Sequence, residues 1–329
     1  MPTLYPLLLK PEFHHRVWGT RDLRPIYDLQ PDEAIGEAWL TGDGCRVANG
    51  ELAGRTLGEL CRDFGSDLVG EAAPQKDRFP LLIKFLFPRE KLSVQVHPDD
   101  EMARNLGQPC GKTECWYVLA AEPGAQVGVG LKPGITKSQF AEAIQSGTAE
   151  RLLNWIDVHA GELIYVEAGT VHAIGPGSIL VETQQNSDTT FRLYDYGRPR
   201  ELHLEQGLAA LKHQTRSGKQ QPMKGDALDC LVLSPHFVVT AFTLKSEEMT
   251  FSGSGSNCKV IVPTRGNALV TTANGPGFEV RAGEALVAPA VGGEFTLSAP
   301  DSEFSALVSF LPGREVKFPA AAGSLAMSL

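Results

Sequence analysis

Apolar residues in this chain fall mainly in short runs punctuated by Gly and Pro. PLLIKFLF (80–87), KLSVQV (91–96), CWYVLA (115–120), SILVETQQ (178–185), FVVTAFTL (237–244), KVIVPT (259–264) and FSALVSFL (304–311) are examples. Runs of this length, bounded by turn residues, predict strands. They are rarely separated by helical patterns, so sandwiches or jelly rolls fit better than a parallel α/β sheet. The stretch LSVQVHPDD (92–100) is the most regular. Leu92, Val94 and Val96 share one strand face, and Ser93, Gln95 and His97 share the other. Pro98 then ends the strand, because it cannot donate to a ladder and holds His97 extended.

Four segments carry helical signals. DDEMARNL (99–106) has an acidic first turn, with Asp99 or Asp100 as cap. SQFAEAIQ (138–145) offers Ser138 as cap, and TAERLLNWI (148–156) offers Thr148, with Leu152, Leu153 and Ile156 on one side. RELHLEQGLAALK (200–212) places Leu204, Leu208 and Leu211 at helical spacing.

An internal repeat organises the pattern. GELIYVEAGTVH (161–172) and GEALVAPAVGGE (283–294) both run Gly-Glu, four mostly apolar residues, then a turn with Ala. This predicts two related β-barrels in tandem. The first copy ends in His172, and the second ends at the same offset in Glu294 with no His nearby. The polar stretch TRSGKQQPMKG (215–225) reads as the linker, giving domains 1–214 and 215–329.

Composition narrows the class. The 329 residues are 42% hydrophobic and 21% charged, ordinary for a soluble globular protein. No apolar run reaches membrane-spanning length, and LYPLLLK is too short for a signal segment, so a cytoplasmic protein without a membrane partner is expected. The six cysteines show no CxxC and read as free thiols. A net charge of −9 without a basic cluster argues against a nucleic-acid partner. An anionic substrate would therefore need positive charge local to its site.

Candidate chemistry converges on four residues from three segments. Gln95 and His97 share the polar face described above, Glu114 opens ECWYVLA, and His172 follows the turn Ala168-Gly169. Two imidazoles, a carboxylate and an amide oxygen suit Zn²⁺, with Fe²⁺ or Mn²⁺ as alternatives. A single His in a β protein is more often a hydrogen-bonded core or surface residue. His14, His15, His159, His203, His213 and His236 are read that way. Lys112 lies two residues before Glu114, Arg192 lies in TTFRLYDYGRPR, and Arg198 follows six residues later. Near a metal such cations neutralise a phosphate or a developing enolate. Taken singly they read as surface charges.

LSVQVHPDD, GKTECWYVL (111–119), AGTVHAI (168–174) and VETQQNSDTTFRLYDYGR (181–198) together resemble the type I phosphomannose isomerases in their short bacterial form. The resemblance runs from Trp18-Gly19 and EAWLTGD (37–43) to RELHLEQGL (200–208) and fades beyond. It implies a mainly β fold of tandem cupin (jelly-roll) barrels, with a few helices in and around the first. The usual cupin turn before the last His reads Pro-x-Gly. Here it reads Glu167-Ala168-Gly169, while the second copy keeps Pro289 and lacks the His, so one barrel is active and the other structural. The resemblance further implies one Zn²⁺ per chain on His97, Glu114 and His172, with Gln95 sometimes counted. Lys112 matches the family's K-x-E lysine and Arg192 its arginine after the last His. Ser93, Lys112, Arg192 and Arg198 would lie near a sugar phosphate, and Glu182 is a further candidate for substrate contact or proton transfer. The reaction implied is interconversion of mannose 6-phosphate and fructose 6-phosphate through a cis-enediol(ate), in a monomer or homodimer. An iron-dependent cupin dioxygenase and a non-catalytic sugar-phosphate sensor are the alternatives. The cations Lys112 and Arg192 weigh against the first, and the complete metal set weighs against the second.

Overall fold

The computed structural model describes residues 3–313 apart from 254, 274 and 300–302. Twelve strands occupy its first part: β1 (Leu7–Leu9), β2 (Glu12–Thr20), β3 (Ile35–Trp39), β4 (Leu81–Leu86), β5 (Val94–Val96), β6 (Glu114–Ala121), β7 (Gln126–Leu131), β8 (Leu153–Asp157), β9 (Leu163–Val166), β10 (His172–Ile174), β11 (Ser178–Gln185) and β12 (Phe191–Tyr194). Ten follow: β13 (Gly218–Lys219), β14 (Asp229–Leu233), β15 (Val238–Lys245), β16 (Glu248–Phe251), β17 (Lys259–Arg265), β18 (Asn267–Thr272), β19 (Gly275–Arg281), β20 (Ala285–Ala288), β21 (Phe295–Ser298) and β22 (Glu303–Phe310). Helices are short: α1 (Leu57–Phe64), α2 (Ser66–Val69), α3 (Asp100–Asn105), α4 (Lys137–Gln145) and α5 (Leu204–Ala210).

The molecule is mainly β, and its strands build two jelly-roll barrels of matching topology. In the first, one sheet contains the order β9-β6-β11-β4 and the other β5-β10-β7-β8. In the second, the orders are β20-β17-β22-β15 and β16-β21-β18-β19. The repeat in the sequence marks equivalent turns. Gly161 and Gly283 both sit at positive φ, 90° and 93°, where an L side chain is disfavoured. The Glu that follows each accepts a hydrogen bond from the backbone N–H three residues before it, His159 to Glu162 and Arg281 to Glu284, both 2.9 Å.

The same register shows what the second barrel has lost. Glu114 pairs with Val166, five residues after Gly161, and Lys259 pairs with Ala288, five residues after Gly283. Lys259 thus stands where the first barrel has Glu114. The rung His172–Gln95 is matched by Phe295–Phe251, whose rings stack at 5.3 Å. Apolar packing fills the second barrel's centre, with Phe242, Phe251, Phe295 and Phe304 in one cluster.

Two compact units are not consecutive stretches of chain. One contains residues 13–38 and 84–220; the other contains 3–12, 39–83 and 221–313. The chain leaves the first barrel for the last time within the polar stretch 215–225, although Gly218 and Lys219 still pair with β9. The second unit recruits N-terminal segments by backbone pairing. Leu7 pairs with Val287, and the N–H groups of Ala290 and Val291 donate to Leu68 and Asp67. Gly70 permits that approach, since a Cβ there would lie 2.4 Å from Asn257 Cα.

In the first barrel, alternate residues of β5 and β10 serve two layers. Val94, Val96 and Ala173 pack outward against Phe140 of α4 and Ala210 of α5. Ile174 packs inward with Trp116, Val118, Val127 and Ile164. Gln95 and His172 lie directly opposite one another, on the inward face. Several local expectations are corrected. Thr136, not Ser138, caps α4, in a capping box with Gln139. Residues 148–156 form one 3-10 turn (Ala149–Leu152) and then β8, because pairing with β7 outweighs the helical spacing of Leu152, Leu153 and Ile156. Asp99 caps α3, whereas Asp100 accepts from Gly111 N and Gln185 Nε2. The sequence reading passed over α1, whose Thr56–Glu59 capping box is explicit.

Candidate metal centre

The ends of three strands bring together groups that could hold a metal. His97 follows β5, Glu114 opens β6 and His172 opens β10; all three are at most 1% exposed. One donor atom from each lies within 4.8 Å of the others. His97 Nε2 and His172 Nε2 each stand 3.3 Å from a different oxygen of Glu114.

The other ring nitrogens fix the tautomers. His97 Nδ1 is 3.0 Å from the Thr189 carbonyl, and His172 Nδ1 is 2.9 Å from the Thr170 carbonyl. A carbonyl only accepts, so each Nδ1 carries the proton and each Nε2 turns a lone pair towards Glu114. Burial, with Lys112 nearby, holds His97 well below its ordinary range; burial likewise lowers His172 despite Glu114. Burial works to raise Glu114, but Lys112 and His172 overcome it and hold the carboxyl at about 2. Neither buried oxygen of Glu114 accepts a well-directed hydrogen bond. Lys112 Nζ stands 3.2 Å from His97 Nε2. Two neutral imidazoles and an ionised carboxylate, converging through their lone pairs, fit a divalent cation.

Gln95 lies against this group. Its Nε2 is 3.2 Å from His172 Nε2, and its Oε1 accepts from the buried Ser93 hydroxyl at 3.2 Å. A half-turn of the amide exchanges the two atoms and would face the oxygen inward.

A chain of buried charges backs the centre. Lys112 Nζ is 2.7 Å from Glu114 and 3.7 Å from Glu182. Lys84 Nζ is 2.9 Å from Glu182 and 3.5 Å from Glu37, and Arg16 grips Glu37 with two hydrogen bonds. Burial works to lower Lys84, but Glu182 and Glu37 override it and raise it above the ordinary lysine range. Trp116 Nε1 donates to Glu182 Oε1 at 3.3 Å. The sequence reading missed Lys84, although a lysine inside the apolar run PLLIKFLF is itself a signal.

The remaining candidates divide. Arg192 pairs in register with Gln95, so its side chain leaves the same sheet face; its Nη1 donates to the Glu201 carbonyl at 2.9 Å. Arg198 bonds Asp195 at 2.8 Å and the Lys91 carbonyl at 2.7 Å, and lies over the ring of Tyr196. None of its hydrogen bonds reaches the metal centre.

Comparison with known proteins finds relatives of this chain. The family model for the type I phosphomannose isomerase catalytic domain matches residues 7–120. The probable mannose-6-phosphate isomerase GmuF of Bacillus subtilis is 33% identical over 309 residues, covering 89% of this chain and 96% of that protein. The crystal structure of a mannose 6-phosphate isomerase from Bacillus subtilis superposes with a TM-score of 0.82 at 30% identity, covering 93% of this chain and 99% of that one. A zinc-bound mannose 6-phosphate isomerase shares the fold, with a TM-score of 0.76 at 15% identity over 92% of this chain and 99% of that one.

Proposed function

The chain belongs to the type I phosphomannose isomerases, aldose–ketose isomerases, and we propose that its first barrel interconverts mannose 6-phosphate and fructose 6-phosphate with one zinc ion per chain. His97, Glu114 and His172 would hold the ion, with Gln95 as a fourth contact. The observation that carries this reading is the paired orientation of two buried imidazoles towards an ionised Glu114.

When bound, the metal supplies Lewis-acid polarisation of the sugar's carbonyl and hydroxyl oxygens. The rest falls to the chain. A proton leaves C2 of the open-chain aldose and returns at C1, and negative charge gathers on the oxygens between. Lys112, already held against Glu114 at 2.7 Å, supplies a fixed positive charge for that moment. Arg192, on the same sheet face as Gln95, is the second cation and a partner for the enediolate or the phosphate. Glu182 engages Trp116 and Lys112 with one oxygen and Lys84 with the other. That suits holding Lys112 in place better than collecting a proton. Ser93 orients Gln95, and Arg198, bonded to Asp195 and the Lys91 carbonyl, holds the loop after β12. Anchoring the phosphate lets remote binding energy orient C1 and C2.

We assign a structural role to the second barrel, whose corresponding positions are Phe251, Lys259 and Phe295. Six free cysteines support a cytoplasmic setting, and no described helix is long and apolar enough to cross a membrane. Sedimentation would separate monomer from homodimer.

The test is fructose 6-phosphate formation from mannose 6-phosphate before chelation, after it, and after zinc is restored. Activity should vanish and return. His172→Ala should lose bound zinc and turnover together; full zinc with full turnover would remove His172 from the ligand set.

A further inference from the structure

Gln184 lies outside the charge chain and outside the ligand set. It sits on β11 directly opposite Glu114 on β6, and its exposure is zero. Residues directly opposite in an antiparallel pair share a face with Cβ atoms about 5 Å apart. Its amide nitrogen donates to the carbonyls of Gln185, at 2.9 Å, and Ser187. Both partners are acceptors, so the NH₂ end must face them and the orientation of the amide is fixed. The side-chain oxygen is left buried with no hydrogen-bond partner. The two oxygens of Glu114 on the same rung likewise accept no well-directed hydrogen bond, but Lys112 Nζ stands 2.7 Å from one of them. A cation answers the carboxylate. The neutral amide oxygen beside it has the capacity to accept from an O–H donor.

We infer that Gln184 is a positioning residue whose side-chain oxygen accepts a hydrogen bond from an O–H group in this site, a hydroxyl of the open-chain sugar or a resident water. The inference rests on the isomerase reading. The loop that fixes the amide adds to it. Ser187 O holds Gln184, and two residues on, Thr189 O holds His97 Nδ1. The acceptor and a metal-binding imidazole are therefore set by one short segment, which favours a fixed distance between them. Glu182, two residues earlier on the same face, meets only charged groups and Trp116, so the neutral acceptor at 184 has a distinct task.

The test uses zinc-loaded full-length protein and Gln184→Met, which keeps length and removes both polar ends. The probes are an open-chain hexitol 6-phosphate, which has no carbonyl to isomerise, and inorganic phosphate, both by calorimetry. Zinc affinity is measured separately by chelator competition without sugar. With a sugar hydroxyl as donor, Gln184→Met binds the hexitol phosphate about tenfold more weakly, the size of one neutral hydrogen bond, with phosphate and zinc affinity unchanged. With a resident water as donor, zinc affinity falls by a similar factor while the preference for hexitol phosphate over phosphate is kept. Both results uphold the role and separate its sources. No change beyond twofold in any of the three overturns it. If Gln184→Met does not fold, the Gln184 side-chain amide is followed by NMR in the wild-type protein. A shift on adding zinc to the metal-free protein, or hexitol phosphate but not phosphate to the zinc-loaded protein, upholds the role. Silence to both overturns it. A wild-type protein that binds hexitol phosphate no better than phosphate would defeat the isomerase reading itself, a distinct outcome.

Discussion

Lys84 shows how much a single side chain carries. It lies between Glu37 and Glu182 in the interior, so Lys84→Met leaves two buried carboxylates without their shared cation. Unfolding stability in urea should fall by about 3–5 kcal/mol, and turnover should fall with it as Glu182 ceases to hold Lys112. Arg192→Ala should act differently, lowering turnover about 100-fold with zinc content retained by elemental analysis. The buried imidazoles set a pH dependence for the zinc-free protein. Both have folded-state pKa values below the unfolded one. The unfolded chain therefore binds more protons as pH falls through about 6.5, and stability should drop from there downward. Urea midpoints at pH 7.5 and 5.5 check this; an unchanged midpoint would contradict the neutral assignment. His97, Glu114 and His172 were legible as a converging cluster because motif order points to all three and strand alternation to His97. Lys84 and Gln184 were not. One reads as an interruption in an apolar strand and the other as one of two adjacent glutamines, and only the placing of β11 between β4 and β6 gives each its partner.

Elements were legible where their signal was local. The strand SILVETQQ, the Val94–Val96 part of KLSVQV and the helix at 100–105 follow from short apolar runs, turn residues and capping. The segment 148–156 does not, because its apolar residues suit either period and β7 decides between them. Thr136 illustrates the reverse case, where side-chain chemistry fixes a boundary. Its hydroxyl accepts from Gln139 N, and Gln139 Oε1 accepts from Thr136 N. Thr136→Ala should cost about 1 kcal/mol in urea denaturation, with zinc binding unaffected. The repeated Gly-Glu turn is a stronger element-level signal. Its two copies share positive φ at Gly and the same carboxylate-to-backbone bond, so the similarity of GELIYV and GEALVA reflects one turn used twice.

At the scale of the whole molecule, the duplication was readable but its boundaries were not. A linear division at residue 214 misses that residues 3–12 and 39–83 fold with the second barrel, because backbone pairing over nearly 280 positions leaves no local trace in sequence. Phe295→Ala should remove about 3–5 kcal/mol of stability from that barrel while zinc content holds. Zinc loss in a still-folded variant would contradict a purely structural role. The charge chain bears on the whole molecule too. Arg16, Lys84 and Lys112 balance Glu37, Glu182 and Glu114 one for one, within a protein of net charge −9. A dication added to this charge-balanced cluster brings two positive charges that an incoming anion can offset. Zinc and sugar phosphate should therefore bind cooperatively, and reciprocity requires each to tighten the other by the same factor. Cellular sugar-phosphate concentration would then help set how firmly this protein keeps its metal when zinc is scarce.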